Sequence, residues 1–274
     1  MSTLVFDYNE EAERYDALRG GEPRAAEAAS AVLGLLPEGT RTLLDLACGT
    51  GTVTRRLAAA GLDVTGVDAA YGMLSRAAAQ VPGRLVRADC RQLPFPDASF
   101  DAVSAIWLLH LLDDAALVVA EAARVLRPGG VFVTTVDKAA AHDVRSDIDA
   151  VMAPRPRRAA RDEVALVARF ATDSGLIPAA RSSFRGRGQG RTPAQAAADV
   201  RRGWYTLLRP GAPLTEQLAS RLEELPDQHV PRPEPEFKLR SFRKPKPKPK
   251  PKPKPKPKPK PKPKPKPKPK PREA

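Results

Sequence analysis

Short apolar segments alternate with segments of helical periodicity across the middle of the chain. From residue 42 onward, apolar runs predict strands at Leu43–Ala47, Val64–Val67, Leu85–Ala88, Ala102–Ile106 and Val131–Val136. Apolar positions at helical spacing predict helices between most of these strands, at Val53–Ala60, Met73–Gln80 and Ala115–Leu126. Because strands that alternate with helices form largely parallel sheets covered on both faces, this pattern predicts an α/β fold.

Weaker patterns extend the prediction toward both ends of the chain. Residues 8–36 are alanine-rich and helical in pattern, and they predict an N-terminal helical cap over residues 1–39. Downstream, the patterns predict helices at Asp162–Gly175, Ala194–Leu208 and Leu214–Leu225, and strands at Ala179–Arg185 and Phe237–Phe242. We therefore expect a doubly wound, mostly parallel seven-stranded sheet in a domain over residues 40–243, with a helical insert at about 192–228 before the last strand.

Composition changes this picture only at the C-terminus. The chain has 274 residues and a formal net charge of +14, but residues 244–271 are 14 Lys-Pro pairs. Without the 15 basic residues and one acidic residue of 244–274, the body has 31 basic and 31 acidic residues and is formally neutral. Alternating prolines and like charges cannot form a packed core, so we expect residues 244–274 to be a disordered tail. Its charge density favours non-specific binding to polyanions, and the alternative is an extension without a partner.

Cysteine content and hydropathy indicate a cytoplasmic protein. Cys48 and Cys90 are too few for a disulfide framework, and they lack metal-ligand spacing to the histidines, so no metal site is expected. The N-terminus lacks the basic and apolar regions of a signal peptide, and no apolar stretch approaches the roughly 20 residues that span a bilayer. We therefore expect reduced thiols in the cytoplasm and no insertion into a membrane.

The clearest candidate for a ligand site follows the first predicted strand. This strand runs into the glycine-rich turn Cys48–Gly51, and Asp68 follows the second strand, 17 residues after that turn. Such a turn lets a ligand approach the backbone, and a carboxylate at this position can accept both hydroxyls of an adenosine ribose. Thr54 occupies the third glycine position of a dinucleotide fingerprint, and Asp45 brings negative charge that would repel a pyrophosphate. The residues thus favour a sulfonium nucleoside over a nicotinamide or flavin dinucleotide.

The turn is part of a longer motif. The segment Asp45–Gly51 resembles the first motif of class I S-adenosylmethionine-dependent methyltransferases, in particular the UbiE-like small-molecule group. Later segments resemble further motifs of this family in the same order: Gly66–Asp68 with Met73, Ala88–Cys90 with Leu93–Phe95, Phe100–Val103, and Arg124–Gly130. The resemblance covers Leu43 to about Val136. It implies a Rossmann-like methyltransferase fold, S-adenosylmethionine as the cofactor, and methyl transfer as the reaction.

The resemblance also implies roles for single residues. The implied cofactor-binding residues are Tyr15, Arg19, Asp45, Ala47, Gly49, Gly51, Asp68, Met73, Asp89 and Cys90. The two glycines admit the methionine moiety and Asp68 binds the ribose. Asp89 accepts a hydrogen bond from the adenine amino group, while Met73 and Cys90 frame the ring. The alternative is that Asp45 and Asp89 form turns at strand ends and that Met73 belongs to the core.

An N-terminal segment and a histidine complete the candidate site. Tyr15 and Arg19 resemble the segment with which relatives close over the cofactor, and Arg19 is placed to hold the methionine carboxylate by a bidentate contact. The alternative for Arg19 is an exposed arginine on a helix. His110 follows the fourth strand, at the sheet edge where open α/β sheets bind ligands. It is a candidate general base, and the alternative is a structural histidine that fixes the loop.

The methyl acceptor is expected to be a small molecule that is methylated at oxygen, nitrogen or carbon. The chain lacks both the Asn/Asp-Pro-Pro-aromatic motif of nucleic-acid amino-methyltransferases and the Pro-Cys pair of cytosine-C5 enzymes. Trp204-Tyr205 and Leu207-Leu208 are candidates for an apolar acceptor wall, and simple helix packing is the alternative.

Three other functions remain open from the sequence. One is a non-catalytic protein that binds S-adenosylmethionine, and another is a nucleic-acid-associated protein anchored by the Lys-Pro tail. An NAD-dependent oxidoreductase is the least favoured, because of Thr54 and the missing second glycine-rich half. The sequence predicts neither the acceptor nor the oligomeric state.

Overall fold

A seven-stranded sheet forms the centre of the computed structural model, which describes residues 8–12, 15–156, 159–204 and 207–247. The strands are β1 Thr42–Leu46, β2 Asp63–Asp68, β3 Arg84–Arg87, β4 Phe100–Ala105, β5 Leu126–Val136, β6 Ile177–Arg185 and β7 Glu236–Arg243. Their order in the sheet is β3-β2-β1-β4-β5-β7-β6. β7 is antiparallel to both neighbours, and every other adjacent pair is parallel. The predicted fold, a mostly parallel seven-stranded α/β sheet, is confirmed.

Helices cover both faces of this sheet. The described helices are α1 Tyr8–Glu11, α2 Tyr15–Leu18, α3 Gly21–Leu33, α4 Thr52–Ala59, α5 Tyr71–Ala78, α6 Ala115–Val125, α7 Lys138–Ala141, α8 Asp147–Met152, α9 Val164–Asp173, α10 Pro193–Arg201 and α11 Pro213–Glu223. A 3-10 turn at Leu109–Leu111 follows β4. Side chains of α3 and α4 form one apolar cluster with the sheet, and those of α6 and α9 form the other.

Strand β1 shows how the sequence pattern produces this layering. Successive side chains of a strand point to opposite faces. Leu43 accordingly belongs to the cluster of α3 and α4, while Leu44 and Leu46 belong to the cluster of α6 and α9. Asp45 shares the face of Leu43, so the one charged side chain of this buried strand points toward α4.

The structure corrects the predicted end of one helix in the insert. The sequence predicts a helix over Ala194–Leu208, but α10 ends at Arg201. Gly203 adopts a left-handed φ of +75°, and the N–H of Trp204 donates to the carbonyl of Asp199 at 3.0 Å. This is the hydrogen-bonding pattern of a glycine that terminates a helix. Tyr205, one of the predicted wall residues, lies outside the described residues.

Two short helices after β5 were not predicted. α8 begins with a capping box, in which the Ser146 hydroxyl accepts from the N–H of Asp149 and the Asp149 carboxylate accepts from the N–H of Ser146. The Ser-x-x-acid spacing of this box is visible in the sequence, and it could have indicated the start of α8. α8, α10 and α11 share a separate apolar cluster, so the insert between β6 and β7 packs on α8 in a small core apart from the two sheet clusters.

The sheet pairing continues one residue into the Lys-Pro segment. The N–H of Lys244 donates to Gly130 O at 2.9 Å, and the carbonyl of Lys244 accepts from Gly129 N at 2.7 Å. Its ammonium group donates to the carbonyls of Ala123 and Leu126 at 2.7 and 2.8 Å, where α6 ends. A cation at this position neutralises the partial negative charge of a helix C-terminus. Residues 248–274, most of the predicted tail, lie outside the described residues.

Within the described ranges, no helix combines the length and the apolar character needed to cross a bilayer.

Candidate functional site

The two glycines of the turn after β1 have different surroundings. Both have left-handed φ angles, +59° at Gly49 and +83° at Gly51. A Cβ atom at Gly51 would overlap Val81 Cγ2 and would lie 3.1 Å from Ala77 Cβ, so this glycine permits close packing of the turn on α5. A Cβ atom at Gly49 would meet no described atom within 4 Å. Gly49 therefore opens the turn toward free space, where a ligand can approach the backbone.

Asp68 closes the turn from the end of β2. Its Oδ2 accepts from the N–H of Gly49 at 2.9 Å, and its Oδ1 accepts from the N–H of Ala70 at 2.9 Å. Burial raises the pKa of this carboxyl above its ordinary value, and the backbone hydrogen bonds oppose that shift. Each carboxylate oxygen has two lone-pair sites, so Asp68 keeps acceptor capacity for further hydroxyl groups.

Three of the four backbone amides of the turn Cys48–Gly51 are engaged within the protein. Cys48 N donates to Val67 O at 2.9 Å, Gly49 N donates to Asp68, and Gly51 N donates to Cys48 O at 3.0 Å. A pyrophosphate site needs free amides at such a turn. The engaged amides and the Asp68 carboxylate therefore fit a ribose better than a pyrophosphate.

Asp45 lies beneath the turn and not at its mouth. It is buried, and its two oxygens accept from the hydroxyls of Ser104 and Thr54, each at 2.7 Å. Thr54, the residue that breaks the dinucleotide fingerprint, thus ties α4 to β1. Burial raises the pKa of Asp45 to about 6, although the two hydroxyl hydrogen bonds lower it.

Asp45 is therefore expected to make stability depend on pH. Because its folded-state pKa is raised to about 6, its contribution to the free energy of unfolding falls as the pH rises from about 4 to about 6. Urea unfolding without cofactor should show wild type gaining up to about 3 kcal/mol relative to Asp45→Asn between pH 7 and pH 4. Asp63→Asn, at the exposed start of β2, is the control. A difference between wild type and Asp45→Asn that stays constant across this pH range would contradict the assignment.

Asp89 is exposed and forms an ion pair. The guanidinium of Arg91 donates to both Asp89 oxygens, with the shortest distance at 2.6 Å, and also to Asp114 at 2.9 Å. The hydrogen bonds from Arg91 hold the pKa of Asp89 below its ordinary range. Met73 of α5 and Cys90, which follows Asp89 in sequence, are 2% and 8% exposed, and burial raises the pKa of the Cys90 thiol to about 12. Both side chains are therefore apolar, because Cys90 stays a protonated thiol and is not a reactive thiolate.

The N-terminal helices contact the turn directly. Asp16 Oδ1 accepts from the Thr50 hydroxyl at 2.7 Å, and Asn9 Oδ1 accepts from the N–H of Gly72 at 2.9 Å. The rings of Tyr8 and Tyr15 lie 6.2 Å apart. Burial raises the pKa of Tyr8 to about 12, with smaller contributions from Tyr15 and Asp68.

Arg19 links this N-terminal segment to the insert. Its guanidinium carbon lies 4.4 Å from the ring centroid of Trp204 and 5.7 Å from that of Tyr15. Trp204, a predicted wall residue, thus contacts the site through Arg19. Leu208, in contrast, is buried in the cluster of the insert, as the packing alternative for the wall residues expects.

A cleft that is partly open to solvent lies beyond the carboxyl ends of β4 and β5. Its lining residues are Tyr8, Tyr15, Arg19, Arg24, Trp107, His110, Leu111, Lys138, His142, Gln189 and Phe237. The cleft thus contains three of the residues singled out from the sequence, Tyr15, Arg19 and His110. Arg24, Lys138, His142 and Gln189 were missed, because they lie in separate segments that no motif connects.

The backbone at the floor of the cleft is strained at Trp107. This residue directly follows β4 with a φ of +58°, and its N–H donates to the Thr135 hydroxyl at 2.8 Å. A bulky residue in the left-handed region costs about 1–2 kcal/mol. Its ring packs edge-on against Phe184 and Phe237, each at 5.6 Å, and the Arg24 guanidinium lies 3.9 Å above it. The strain places the indole where Arg24 can stack on it.

Two histidines and a lysine of the cleft are shifted toward their neutral forms. Burial, together with the charges of Lys138 and Arg19, lowers the pKa of His110 well below its ordinary value. Burial and Lys138 lower the pKa of His142 to about 3. Burial and Arg19 lower the pKa of Lys138 to about 8, although Asp162 opposes this shift. His110 is therefore a neutral imidazole at physiological pH, and the positive charges of the cleft repel one another.

Residues 44–134 match the family model described as a methyltransferase domain. The matched segment includes the glycine-rich turn, Asp68, Asp89 and His110. This segment is a methyltransferase domain. The predicted membership in the methyltransferase family is confirmed for this domain.

Curated relatives match about a third of this chain. The chain is 45% identical over 107 residues to 27-O-demethylrifamycin SV methyltransferase of Amycolatopsis mediterranei, over 35% of this chain and 39% of the relative. It is 41% identical over 92 residues to demethylmenaquinone methyltransferase of Beutenbergia cavernae, over 33% of this chain and 38% of the relative. The chain thus spans about two fifths of the length of the curated relatives that it matches. The second relative supports the predicted UbiE-like group.

Solved structures share the fold over most of the chain. The [4+2]-cyclase SpnF has a TM-score of 0.55 at 20% identity, over 87% of this chain and 94% of that chain. Phosphoethanolamine N-methyltransferase 2 of Haemonchus contortus, in complex with S-adenosylhomocysteine, has a TM-score of 0.53 at 19% identity, over 87% of this chain and 58% of that chain. These likenesses establish the methyltransferase fold beyond residues 44–134. They do not define the reaction, because one neighbour is a cyclase.

Proposed function

We propose that this protein transfers a methyl group from S-adenosylmethionine to a small-molecule acceptor at oxygen, nitrogen or carbon. The observation that carries the proposal is the turn, where Gly49 faces free space beside the Asp68 carboxylate. When bound, S-adenosylmethionine supplies an activated methyl group, whose bond to sulfur breaks as the bond to the acceptor forms, and S-adenosylhomocysteine leaves. The acceptor loses a proton where it carries one.

Residues in and around the turn bind different parts of the cofactor in this proposal. Asp68 accepts the ribose hydroxyls, and Gly49 gives the methionine moiety access to the backbone. Met73 and Cys90 provide the apolar surroundings of the adenine ring. Asp89 accepts from the adenine amino group with the lone pairs that Arg91 leaves free.

Other residues act through position. Gly51, Asp45 and Ala47 shape the turn from beneath, Asp45 through its two buried hydrogen bonds. Tyr15 and Arg19 close over the cofactor, and the Arg19 guanidinium pairs with the methionine carboxylate.

His110 accepts the proton of the acceptor in this proposal. Its Nδ1 atom is buried and has no hydrogen-bond partner within the described ranges, and its lowered pKa keeps it neutral. With an acceptor identified by screening, His110→Gln is expected to lower kcat by about 100-fold and to leave the Kd for S-adenosylmethionine nearly unchanged. His229→Gln, in the exposed loop after α11, is the matched control. An unchanged kcat in His110→Gln would leave His110 with a structural role only.

Calorimetric titration tests the cofactor assignment. The full chain and a chain truncated after Pro247 are titrated with S-adenosylmethionine and with NAD. We expect binding of S-adenosylmethionine in the micromolar range by both chains, and no binding of NAD. Folded protein that does not bind S-adenosylmethionine would contradict the proposed function.

A second candidate is a protein that binds S-adenosylmethionine without transferring its methyl group. The observation that favours it is the shared fold of the [4+2]-cyclase SpnF. Formation of S-adenosylhomocysteine with a pool of small-molecule acceptors distinguishes the two. Product formation supports transfer, while tight binding without product across the pool supports the second candidate.

The Lys-Pro tail is the next part of the proposal. We infer that residues 244–274 bind polyanions through charge, with strong salt dependence. A heparin column should therefore retain the full chain more strongly than the chain truncated after Pro247, and salt should abolish the difference.

For the location, we infer the cytoplasm, because the buried free cysteines Cys48 and Cys90 suit a reducing compartment.

A further inference from the structure

The cleft beyond β4 and β5 contains buried polar atoms that have no partner in the protein. Arg24 Nε, Trp107 Nε1, His110 Nδ1 and Gln189 Oε1 are all buried without a hydrogen bond among the described residues. All four of these residues line the cleft. Buried polar groups are nearly always paired in native proteins. Atoms of this kind in one cleft therefore point to a ligand that supplies the missing partners.

Positive charge is concentrated in the same cleft. Arg19, Arg24 and Lys138 line it, and no carboxylate does so among the described residues. Arg24 is only 8% exposed. The nearby Asp16 has one oxygen engaged by Thr50, and Asp162 accepts from the backbone N–H of Lys138 at 2.9 Å. Burial and the charges of Arg19 and Arg24 lower the pKa of Lys138, and the charge of Asp162 opposes them. Three partly buried cations without a lining anion are unfavourable until a negative charge joins them.

Aromatic rings complete the walls. Tyr8, Tyr15, Trp107 and Phe237 line the cleft together with the charged groups. Rings and stacked guanidinium planes favour a flat apolar body, while the indole N–H and the Arg24 N–H favour a planar carboxylate. The chemistry of the walls thus specifies two parts of one ligand.

We propose that the methyl acceptor is an organic acid with a flat apolar body, and that Arg24, Lys138 and the Trp107 indole N–H bind its carboxylate. This inference rests on the proposed function for the methyl donor and adds the class of the acceptor. Arg19, at the border of the N-terminal segment, remains with the methionine carboxylate. The two carboxylates therefore have separate cationic partners.

Two matched probes test this proposal. The full chain, saturated with S-adenosylhomocysteine, is titrated with 2-naphthoate and with its neutral isostere 2-naphthamide. We expect 2-naphthoate to bind at least about tenfold more tightly, because charge-assisted hydrogen bonds are stronger than neutral ones. Equal affinity for the two probes, or no binding of 2-naphthoate at millimolar concentration, would overturn the proposal.

Variants assign the preference to the cleft. Lys138→Met and Arg24→Gln are each expected to remove most of the preference for 2-naphthoate. Arg84→Gln, at the exposed start of β3, removes one positive charge elsewhere and should keep the preference. Thermal melting shows whether the buried Arg24 variant is folded, and Lys138→Met provides the test if it is not.

The titration of S-adenosylmethionine separates this proposal from the proposed function. If Lys138→Met and Arg24→Gln weaken binding of S-adenosylmethionine as strongly as binding of 2-naphthoate, the cations bind the methyl donor and the acceptor proposal fails. If wild type binds 2-naphthoate selectively but does not bind S-adenosylmethionine, the carboxylate site stands and the methyltransferase function fails.

Discussion

Asp68→Asn is expected to weaken binding of S-adenosylmethionine by about 100-fold. The carboxylate at the end of β2 is the acceptor proposed for both ribose hydroxyls, and it also holds the N–H groups of Gly49 and Ala70 at 2.9 Å. Asparagine keeps the size of the side chain and one acceptor oxygen, but it removes the charge. The loss should appear in the Kd measured by calorimetry.

The control for this variant lies on the same strand. Asp63→Asn makes the same chemical change at the exposed start of β2, away from the turn, and should leave the Kd unchanged. Thermal melting of both variants separates loss of the ligand contact from loss of the turn. A folded Asp68→Asn protein with the wild-type Kd would remove Asp68 from the ribose site.

Alanine substitutions at the two glycines of the turn are expected to affect different properties: Gly51→Ala mainly lowers stability, and Gly49→Ala mainly lowers the affinity for S-adenosylmethionine. Gly51→Ala should lower the free energy of unfolding by about 3 kcal/mol, because its methyl group overlaps Val81 and its φ is left-handed. Gly49→Ala should lower it by only about 1 kcal/mol, since its methyl group meets no described atom. Its methyl group would instead enter the space proposed for the methionine moiety, so affinity for S-adenosylmethionine should fall sharply.

Gly61→Ala calibrates this comparison. Gly61 has a φ of +94°, and an added methyl group would meet no described atom within 4 Å, so this variant reports the conformational cost alone. Urea unfolding gives the free energies, and calorimetry gives the affinities of the folded variants. If Gly49→Ala binds S-adenosylmethionine as wild type does, the open side of the turn is not the ligand site.

The fold was predictable because it follows from local patterns. Strands alternate with helices of eight or more residues along most of the body, although no helix lies among the described residues between β3 and β4. This alternation specifies a largely parallel sheet without knowledge of contacts. The largest error was the end of α10. It arose because the left-handed Gly203 ends the helix inside a segment that otherwise has helical periodicity.

The binding turn was predictable for a related reason. Its residues are adjacent in sequence, and Asp68 follows the next strand, which is parallel and adjacent to β1. The sequence alone did not reveal that Asp45 is buried beneath the turn. That position results from the alternation of β1 combined with hydroxyls from β4 and α4.

The sequence by itself thus determined the class of fold, the glycine turn with Asp68, and the likeness to methyltransferases. Only the tertiary structure brought Arg24 of α3, Trp107 after β4 and Lys138 of α7 into one cleft. These residues are far apart in the chain, and their spacing carries no periodic signal. The closeness of the Arg24 and Lys138 charges and the unpaired N–H groups of Arg24 and Trp107 are consequences of packing between elements, because desolvation and repulsion exist only once the side chains are buried together.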